Sequence, residues 1–336
     1  MAKTNEYKDI LLQLLQQHKE LGISEQIDYQ KFYLYSIITH STAIEGSTVT
    51  EIENQLLFDE GITAPGRTLQ EQMMNLDLKA AYEYGMQWIK QHEDITVDWL
   101  VLLASKVMAR TGAEYHTAIG DFSAAKGELR KLNVTAGLGG KSYMSFQKVP
   151  AGLAAFCEEL NRRRKAIDTR DIVSIYELSF WAHFQLVTIH PWADGNGRTS
   201  RLLMNLLQME FDVLPTKVLK EDKAEYIQAL IDSREGEDIS IFIDCMTRLH
   251  CRHLKADIDN YLDSTSQKTS QKTPRKTSQK IIELIQRDAH ITTSEMANII
   301  GIDRRNVARN IKNLQAQGFI RRVGPDKGGH WEIITI

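Results

Sequence analysis

Apolar residues recur at three- and four-residue spacing through most of the first 260 positions. Val173 to Ile189 and Ser200 to Phe211 show the spacing most clearly, and it predicts amphipathic helices. The pattern breaks between Gly127 and Pro150. There, glycines at 137, 139 and 140 separate Leu129–Thr135 from Ser142–Val149, which predicts a hairpin or flap on a helical body. From Thr265 to Lys280 the chain reads TSQK-TSQK-TPRK-TSQK. Such a stretch has no apolar surface to bury, and a mobile linker over 264–280 is expected. Beyond it come a short helix (Lys280 to Asp288) and the capping-box signature Thr292-Thr293-Ser294-Glu295. A helix to Ile300, a turn at Gly301-Ile302-Asp303 and a helix over Arg304–Gln317 follow. A strand from Phe319 to Val323, a Gly-rich turn and a strand from Trp331 to Ile336 end the chain. The reading is mainly α: a helical bundle with a β-hairpin flap in 1–263, and a small winged helix-turn-helix in 281–336.

Composition changes this picture little: 42% of the 336 residues are hydrophobic and 25% charged, as in an ordinary globular chain. No run of about 18 apolar residues appears, so no membrane span is expected. The stretch from Met1 to Gln17 has Lys3 and then leucines interrupted by Asp9 and Gln13. It lacks a continuous apolar core, and no leader is expected. Cys157, Cys245 and Cys251 show no Cys-x-x-Cys spacing and fit small buried hydrophobes in a reducing, cytoplasmic setting. Charge is more informative. Residues 264–336 carry 13 Lys or Arg against six Asp or Glu, a net +7 in a chain whose total is −3. A basic tail on an acidic body suggests an anionic partner for the tail.

The densest chemistry lies at His190-Pro191-Trp192-Ala193-Asp194-Gly195-Asn196-Gly197-Arg198, followed by Arg201. Gly195 and Gly197 allow backbone shapes closed to other residues and can turn N–H groups outward at a helix start, where an anion is favoured. Arg198 and Arg201 share a helix face, and a planar guanidinium fork suits phosphate oxygens. Asp194 offers a hard oxygen, and Mg²⁺ takes one or two carboxylates plus substrate phosphates. His190, just before this cradle, can accept a hydroxyl proton as a neutral imidazole. Phosphate cradle, metal ligand and general base fall within twelve residues.

This string resembles the Fic family motif His-Pro-Phe-x-Asp-Gly-Asn-Gly-Arg-x-x-Arg, with Trp192 in place of Phe. The resemblance extends over roughly residues 35 to 250. It implies a Fic-type bundle and a protein adenylyltransferase that moves AMP from ATP to a Ser, Thr or Tyr hydroxyl, on another protein or on itself. By the resemblance His190 is the base, and Asp194 holds Mg²⁺ between the α- and β-phosphates. Gly195, Asn196 and Gly197 line the anion hole, and Arg198 and Arg201 grip the β- and γ-phosphates. Relatives of the Doc type have Lys where Gly197 stands, which disfavours phosphate transfer here.

Three more stretches fit the same resemblance. Gly127 to Pro150 looks like the family flap, with a strand edge near Tyr143–Phe146 that aligns target peptide; Tyr143 and Met144 are taken as nucleotide contacts. Glu225-Tyr226-Ile227-Gln228-Ala229-Leu230 resembles the segment lining the adenine pocket, through Tyr226. Ser41-Thr42-Ala43-Ile44-Glu45-Gly46 matches the inhibitory motif Ser/Thr-x-x-x-Glu-Gly/Asn. It implies that Glu45 pairs with Arg201 and blocks the γ-phosphate, with Ser41 and Gly46 as the other fixed positions of the inhibitory motif. Related enzymes with such a Glu also remove AMP, so the net direction stays open, and a homodimer is compatible with the sequence.

His183 and His190 share a helix face, but no His-x-x-x-His pair or third soft ligand makes a transition-metal site, and His183 reads as core. His250 and His253 read as a polar helix face. A competing function, DNA-binding regulation, rests on the winged helix. Arg304, Arg305, Asn306 and Arg309 would face a major groove, and Arg321, Arg322 and Lys327 would meet phosphate.

Overall fold

The computed structural model describes residues 2–136, 141–268, 274–316, 319–324 and 329–334. It divides into two units, 1–258 and 259–336. The first unit is helical. Its elements are α1 (Ala2–Glu20), α2 (Tyr29–Ile44), α3 (Glu51–Glu60), α4 (Leu69–Ile89), α5 (Val97–Val107), α6 (Val149–Ala166), α7 (Ile172–Ile189), α8 (Asn196–Glu210), α9 (Lys223–Glu235) and the start of α10 (Ser240–Lys268). A two-residue hairpin, β1 (Glu114–Tyr115) with β2 (Phe122–Ser123), sits between α5 and the flap.

α7 and α8 form the most extensive helix pair, with α4 against α8 and α6 against α7. The leucine spacing of α8 explains this, since Leu202, Leu203, Leu206 and Leu207 are all fully buried. Gly85 lets α4 approach, because a Cβ there would lie 2.4 Å from Leu206 Cδ1. The polar positions of α8 are not solvated either. Asn205 Oδ1 accepts from Tyr82 Oη (2.6 Å), and Gln208 Nε2 donates to Ser179 Oγ (2.9 Å). Paired in this way, they avoid the cost of burying an unsatisfied amide. α7 is the one described helix long and apolar enough to cross a membrane by length and composition. Here it is a core helix, with Ile175, Phe180, Ala182 and Leu186 buried.

The second unit contains α11 (Pro274–Arg287), α12 (Thr293–Ile300), α13 (Arg304–Ala316), β3 (Ile320–Val323) and β4 (His330–Ile333). β3 and β4 pair antiparallel, from Ile320 opposite Ile333 to Val323 opposite His330. Thr292 and Glu295 make the expected capping box. Ile281, Ile285, Met296, Val307, Ile311, Leu314, Ile320 and Trp331 form its own core.

Several expectations change. The linker is shorter than its composition suggests, since 264–268 continue α10 and 274–280 open α11; residues 269–273 lie outside the described set. Ser264 and Thr265 hydroxyls donate back to the Tyr261 carbonyl (2.8 and 3.0 Å), a local bond compatible with helix. Among the described residues the flap has one bridge, Thr135 to Ser142, in place of a longer ladder, and a 3₁₀ turn covers Phe146–Lys148. Its Gly137–Gly140 centre, like Lys327, lies outside the described residues. In the wing, Arg321 is paired with Glu332 (2.6 Å), and the Arg322 guanidinium lies 4.7 Å over the Trp331 ring. Both arginines thus have internal partners. His250 and His253 are buried, not a polar face; His253 Nε2 sits 2.7 Å from Asp222 Oδ2.

Candidate active site

His190 closes α7 as its C-terminal cap in the left-handed region, with φ 54° and ψ 62°. Its Nδ1 lies 3.2 Å from the Val187 carbonyl. A carbonyl only accepts, so Nδ1 carries the hydrogen and Nε2 keeps its lone pair. Burial lowers the imidazole pKa to about 4, with Val187 acting the other way and Arg130 and Arg234 adding to the lowering. At neutral pH the ring is therefore an uncharged acceptor.

The loop after His190 is locked from within. Asn196 Nδ2 donates to Trp192 O (2.9 Å), and Trp192 N–H donates to Asn196 Oδ1 (3.1 Å). The buried Trp192 indole donates to Gly127 O (2.9 Å), which anchors the loop to the start of the flap. Gly195 has φ 83°, and a Cβ there would lie 2.7 Å from Met108 Sδ, so only glycine fits. Its N–H is used by Asp194 Oδ1 at 2.5 Å. The first α8 bond runs from Thr199 N–H to Gly195 O (2.9 Å). The N–H groups of Asn196, Gly197 and Arg198 therefore precede the helical ladder, the arrangement that favours an anion.

The two arginines of α8 differ sharply. Arg198 is 2% exposed. Nη2 donates to Asp194 Oδ1 at 3.2 Å, while Nε and Nη1 are buried with no partner among the described residues. Buried charged donors without acceptors are costly, and an anion alongside would satisfy them. Arg201, 3% exposed, has a partner on each of its three nitrogens. Nε donates to Ser41 Oγ (2.9 Å), and Nη2 donates to Ser41 O (3.0 Å) and Glu45 Oε1 (2.5 Å). Nη1 reaches Tyr226 Oη at 3.4 Å. Burial raises the Glu45 carboxyl pKa, but the charge and hydrogen bond of Arg201, with Arg198 and Lys223, hold it below its ordinary value.

Glu45 caps α2, and the end of α2 is fixed by a buried polar knot. Asn75 Oδ1 accepts from Thr42 Oγ1 (2.8 Å) and Asn54 Nδ2 (2.8 Å), and Asn75 Nδ2 donates to Ser47 Oγ (3.2 Å). Gly46 takes φ 105°, which turns the chain away after Glu45. A Cβ on Gly197 would lie 2.6 Å from Glu45 Oε1. Gly197 is therefore also what leaves room for the Glu45–Arg201 pair.

Residues 94–208 match the family model described as Fic/DOC family. The chain carries a Fic domain. Residues 274–321 match a winged helix-turn-helix DNA-binding model. The chain is similar to "Protein adenylyltransferase Fic" of Nematostella vectensis, 29% identical over 68% of this chain and 49% of that protein. It is similar to "Protein adenylyltransferase fic-1" of Caenorhabditis elegans, 25% identical over 69% of this chain and 42% of that one. The chain thus spans about half or less of these curated relatives. Among solved structures, a Fic domain containing signaling protein from Bacteroides thetaiotaomicron superposes with TM-score 0.62 at 22% identity, covering 76% of this chain and 98% of that one. A Fic family protein from Desulfovibrio desulfuricans G20 covers 97% of this chain and 96% of its own, with TM-score 0.56 at 18% identity. At these identities the likeness is one of fold.

Ser41, Glu45, Arg201 and Tyr226, far apart in sequence, converge on one contact. Tyr226 is a correction. It is 1% exposed, with Oη between Arg201 and His183 Nε2 (2.9 Å), so it supports Arg201 from the core and does not line a base pocket. Met144 is half-buried: it packs against Gly152 of α6 and also lines a cleft beside the flap. Two residues escaped sequence reasoning. Buried Arg130 donates from Nε to His190 O (2.7 Å), from Nη1 to Leu132 O (2.7 Å) and from Nη2 to Met144 O, tying both arms of the flap to the loop. Arg234 of α9 donates to Lys141 O (3.3 Å) and Ser142 O (3.2 Å). A single arginine in a flap or at a helix end has no periodicity to betray it. Beside the flap opens a cleft of about 480 Å³, whose walls include Tyr143, Gln185, Thr188, Ser233 and Arg234.

Proposed function

We propose that this chain transfers AMP from ATP to a hydroxyl group of a protein, itself included as an acceptor, with Glu45 holding the resting activity down. The carrying observation is Arg198, whose buried Nε and Nη1 have no partner beside a helix start built for an anion. His190 Nε2 would take the acceptor hydroxyl proton as its oxygen bonds the α-phosphorus. The bond from the α-phosphorus to the α–β bridging oxygen would break, and pyrophosphate would leave. Arg198 and the N–H groups of Asn196 and Gly197 would hold the phosphates. Asp194 fits a magnesium site, since its side chain is 56% exposed and its contacts with Gly195 and Arg198 both fall on Oδ1. When bound, Mg²⁺ would neutralise phosphate charge, and one protein carboxylate is enough for it.

The reading is tested by incubating the full chain with ATP labelled at the α-phosphate, then looking for transferred label and an AMP mass increment on protein. Label confined to free AMP, with none on protein, would favour hydrolysis. That second reading rests on the Glu45 carboxylate, which stands in the site and could order a water for AMP removal. Asp194→Ala should lower Mg²⁺-dependent transfer on the order of 10²-fold or more. An unchanged magnesium titration would place the ligand elsewhere.

A DNA contact by the tail is a separate part of the proposal. Arg304, Arg305, Asn306 and Arg309 are all exposed on α13. The full chain should bind duplex DNA with affinity falling as salt rises, and Arg305→Ala should reduce the salt slope by about one. No binding at low salt would leave the module to protein contacts.

A further inference from the structure

The flap residue Tyr143 is committed to an unusual place. Its ring stacks on the His190 imidazole with centroids 3.9 Å apart and planes 21° from parallel. The Arg234 guanidinium covers the Tyr143 ring, 4.2 Å from its centroid. Arg234 also donates to the carbonyls of Lys141 and Ser142, the two residues preceding Tyr143. The phenol is thus packed against His190 and pinned by a cation from α9.

The imidazole needs such a support. Its Nδ1 hydrogen bond to Val187 O fixes one point of the ring, but rotation about that contact swings Nε2. A flat aromatic neighbour removes this freedom. Offset-stacked rings attract by about 0.5–1.5 kcal/mol beyond the area they bury, and a guanidinium over a tyrosine face adds a cation–π contact. The other charged groups that act on His190 are Arg130 and Arg234, which oppose its protonation, and Asp194, which favours it.

We propose that Tyr143, pinned by Arg234, is a positioning residue for His190: the stack holds the imidazole with Nε2 aimed at the acceptor hydroxyl. This rests on AMP transfer as the activity, and it reassigns Tyr143 from nucleotide contact to support of the base. It also gives α9 a direct hold on the flap, through a residue outside the 190–201 motif.

Three readouts test it on the full chain. Tyr143→Ala should lower the transfer rate by roughly 10–100-fold at saturating ATP, as expected for a base displaced by about 1 Å. Tyr143→Phe, which keeps the ring, should recover most of that loss, and Arg234→Met should fall between. The affinity for ATP, measured by calorimetry, should be nearly the same in all of them. Independently of activity, the His190 ring should titrate at higher pH in Tyr143→Ala than in the wild type, because the covering ring is gone. Nitrogen-15 NMR reads this, with His190→Asn identifying the resonance. The proposal is overturned if Tyr143→Ala leaves the His190 titration and the transfer rate unchanged. It is equally overturned if Phe behaves like Ala, or if the loss lies in ATP affinity alone. Should no variant, nor the wild type, transfer AMP, the functional reading fails, and the NMR titration still decides whether Tyr143 holds His190.

Discussion

His190→Ala is expected to slow AMP transfer about 10²–10⁴-fold, the usual worth of a general base, while ATP binding stays close to wild type. The donors proposed to hold phosphate come from Arg198 and the start of α8, and none of them depends on the imidazole. The backbone complicates the choice of variant. His190 sits at φ 54°, where alanine costs about 1–2 kcal/mol. Asparagine tolerates that region better, so His190→Asn separates loss of the base from strain in the turn. Both variants should be equally inactive. If His190→Asn transfers at the wild-type rate with its melting temperature preserved, the base lies elsewhere.

The pH dependence follows from the same burial. With its pKa pushed down to about 4, His190 is deprotonated and competent throughout the neutral range. Its activity should fall only as pH drops towards 4, not near 6.5. Stability moves the same way. His183 and His250, both near 3, and His190 take up protons near 6.5 when unfolded but not when folded. The unfolded chain then binds more protons, and stability declines as pH falls below about 6.5. An acid limb of the rate profile centred near 6.5 would mean that the ring is more hydrated than its packing shows.

Legibility of the chain depended on whether a property is local. The helices were legible because leucine spacing on α8 and α7 is set by which face is buried. The capping box at Thr292 is a four-residue matter of one hydroxyl and one carboxylate. The string at 190–201 could be read as a candidate anion site because its glycines and the helix start are features of the local backbone. The linker was misjudged, because a polar composition does not forbid a helix whose serines and threonines bond their own preceding carbonyls. Tyr226 was misplaced for a different reason. Its role is set by Arg201 and His183, which approach from α8 and α7, and no pattern within α9 records that. Arg130 and Arg234 likewise act on carbonyls across the fold. Among the described residues the expected flap hairpin is reduced to the Thr135–Ser142 bridge, while Arg130 takes the Leu132 and Met144 carbonyls.

Glu45→Gly is expected to raise AMP transfer by tenfold or more. In the resting chain Arg201 has four acceptor contacts, and the only charged one is Glu45 Oε1 at 2.5 Å. A γ-phosphate at the same fork would be a second anion against that carboxylate. Productive ATP binding must therefore displace Glu45 or accept a misplaced phosphate chain. Glu45 remains charged at neutral pH, since the net effect of its surroundings lowers its pKa, so the block does not lapse by protonation. Removing the carboxylate does not loosen Arg201. Ser41 Oγ, Ser41 O and Tyr226 Oη still hold it, and a glycine fits at position 45, where the backbone is unstrained at φ −86°. What changes is charge: a buried guanidinium is left without its anion, which destabilises the free protein. Two measurements then distinguish the mechanism. The variant should melt lower than wild type without nucleotide and be stabilised more by Mg-ATP, because the γ-phosphate now supplies the missing charge. Its labelled-ATP transfer rate should rise, and a tenfold rise corresponds to about 1.4 kcal/mol of inhibition relieved. Glu45→Asp should activate less if the shorter carboxylate still reaches. Glu45→Gly combined with Arg201→Ala should be poorly active, since the freed partner is then absent. A transfer rate equal to or below wild type in folded Glu45→Gly, at saturating Mg²⁺, would reduce the Glu45–Arg201 contact to a structural ion pair that anchors α2 on α8.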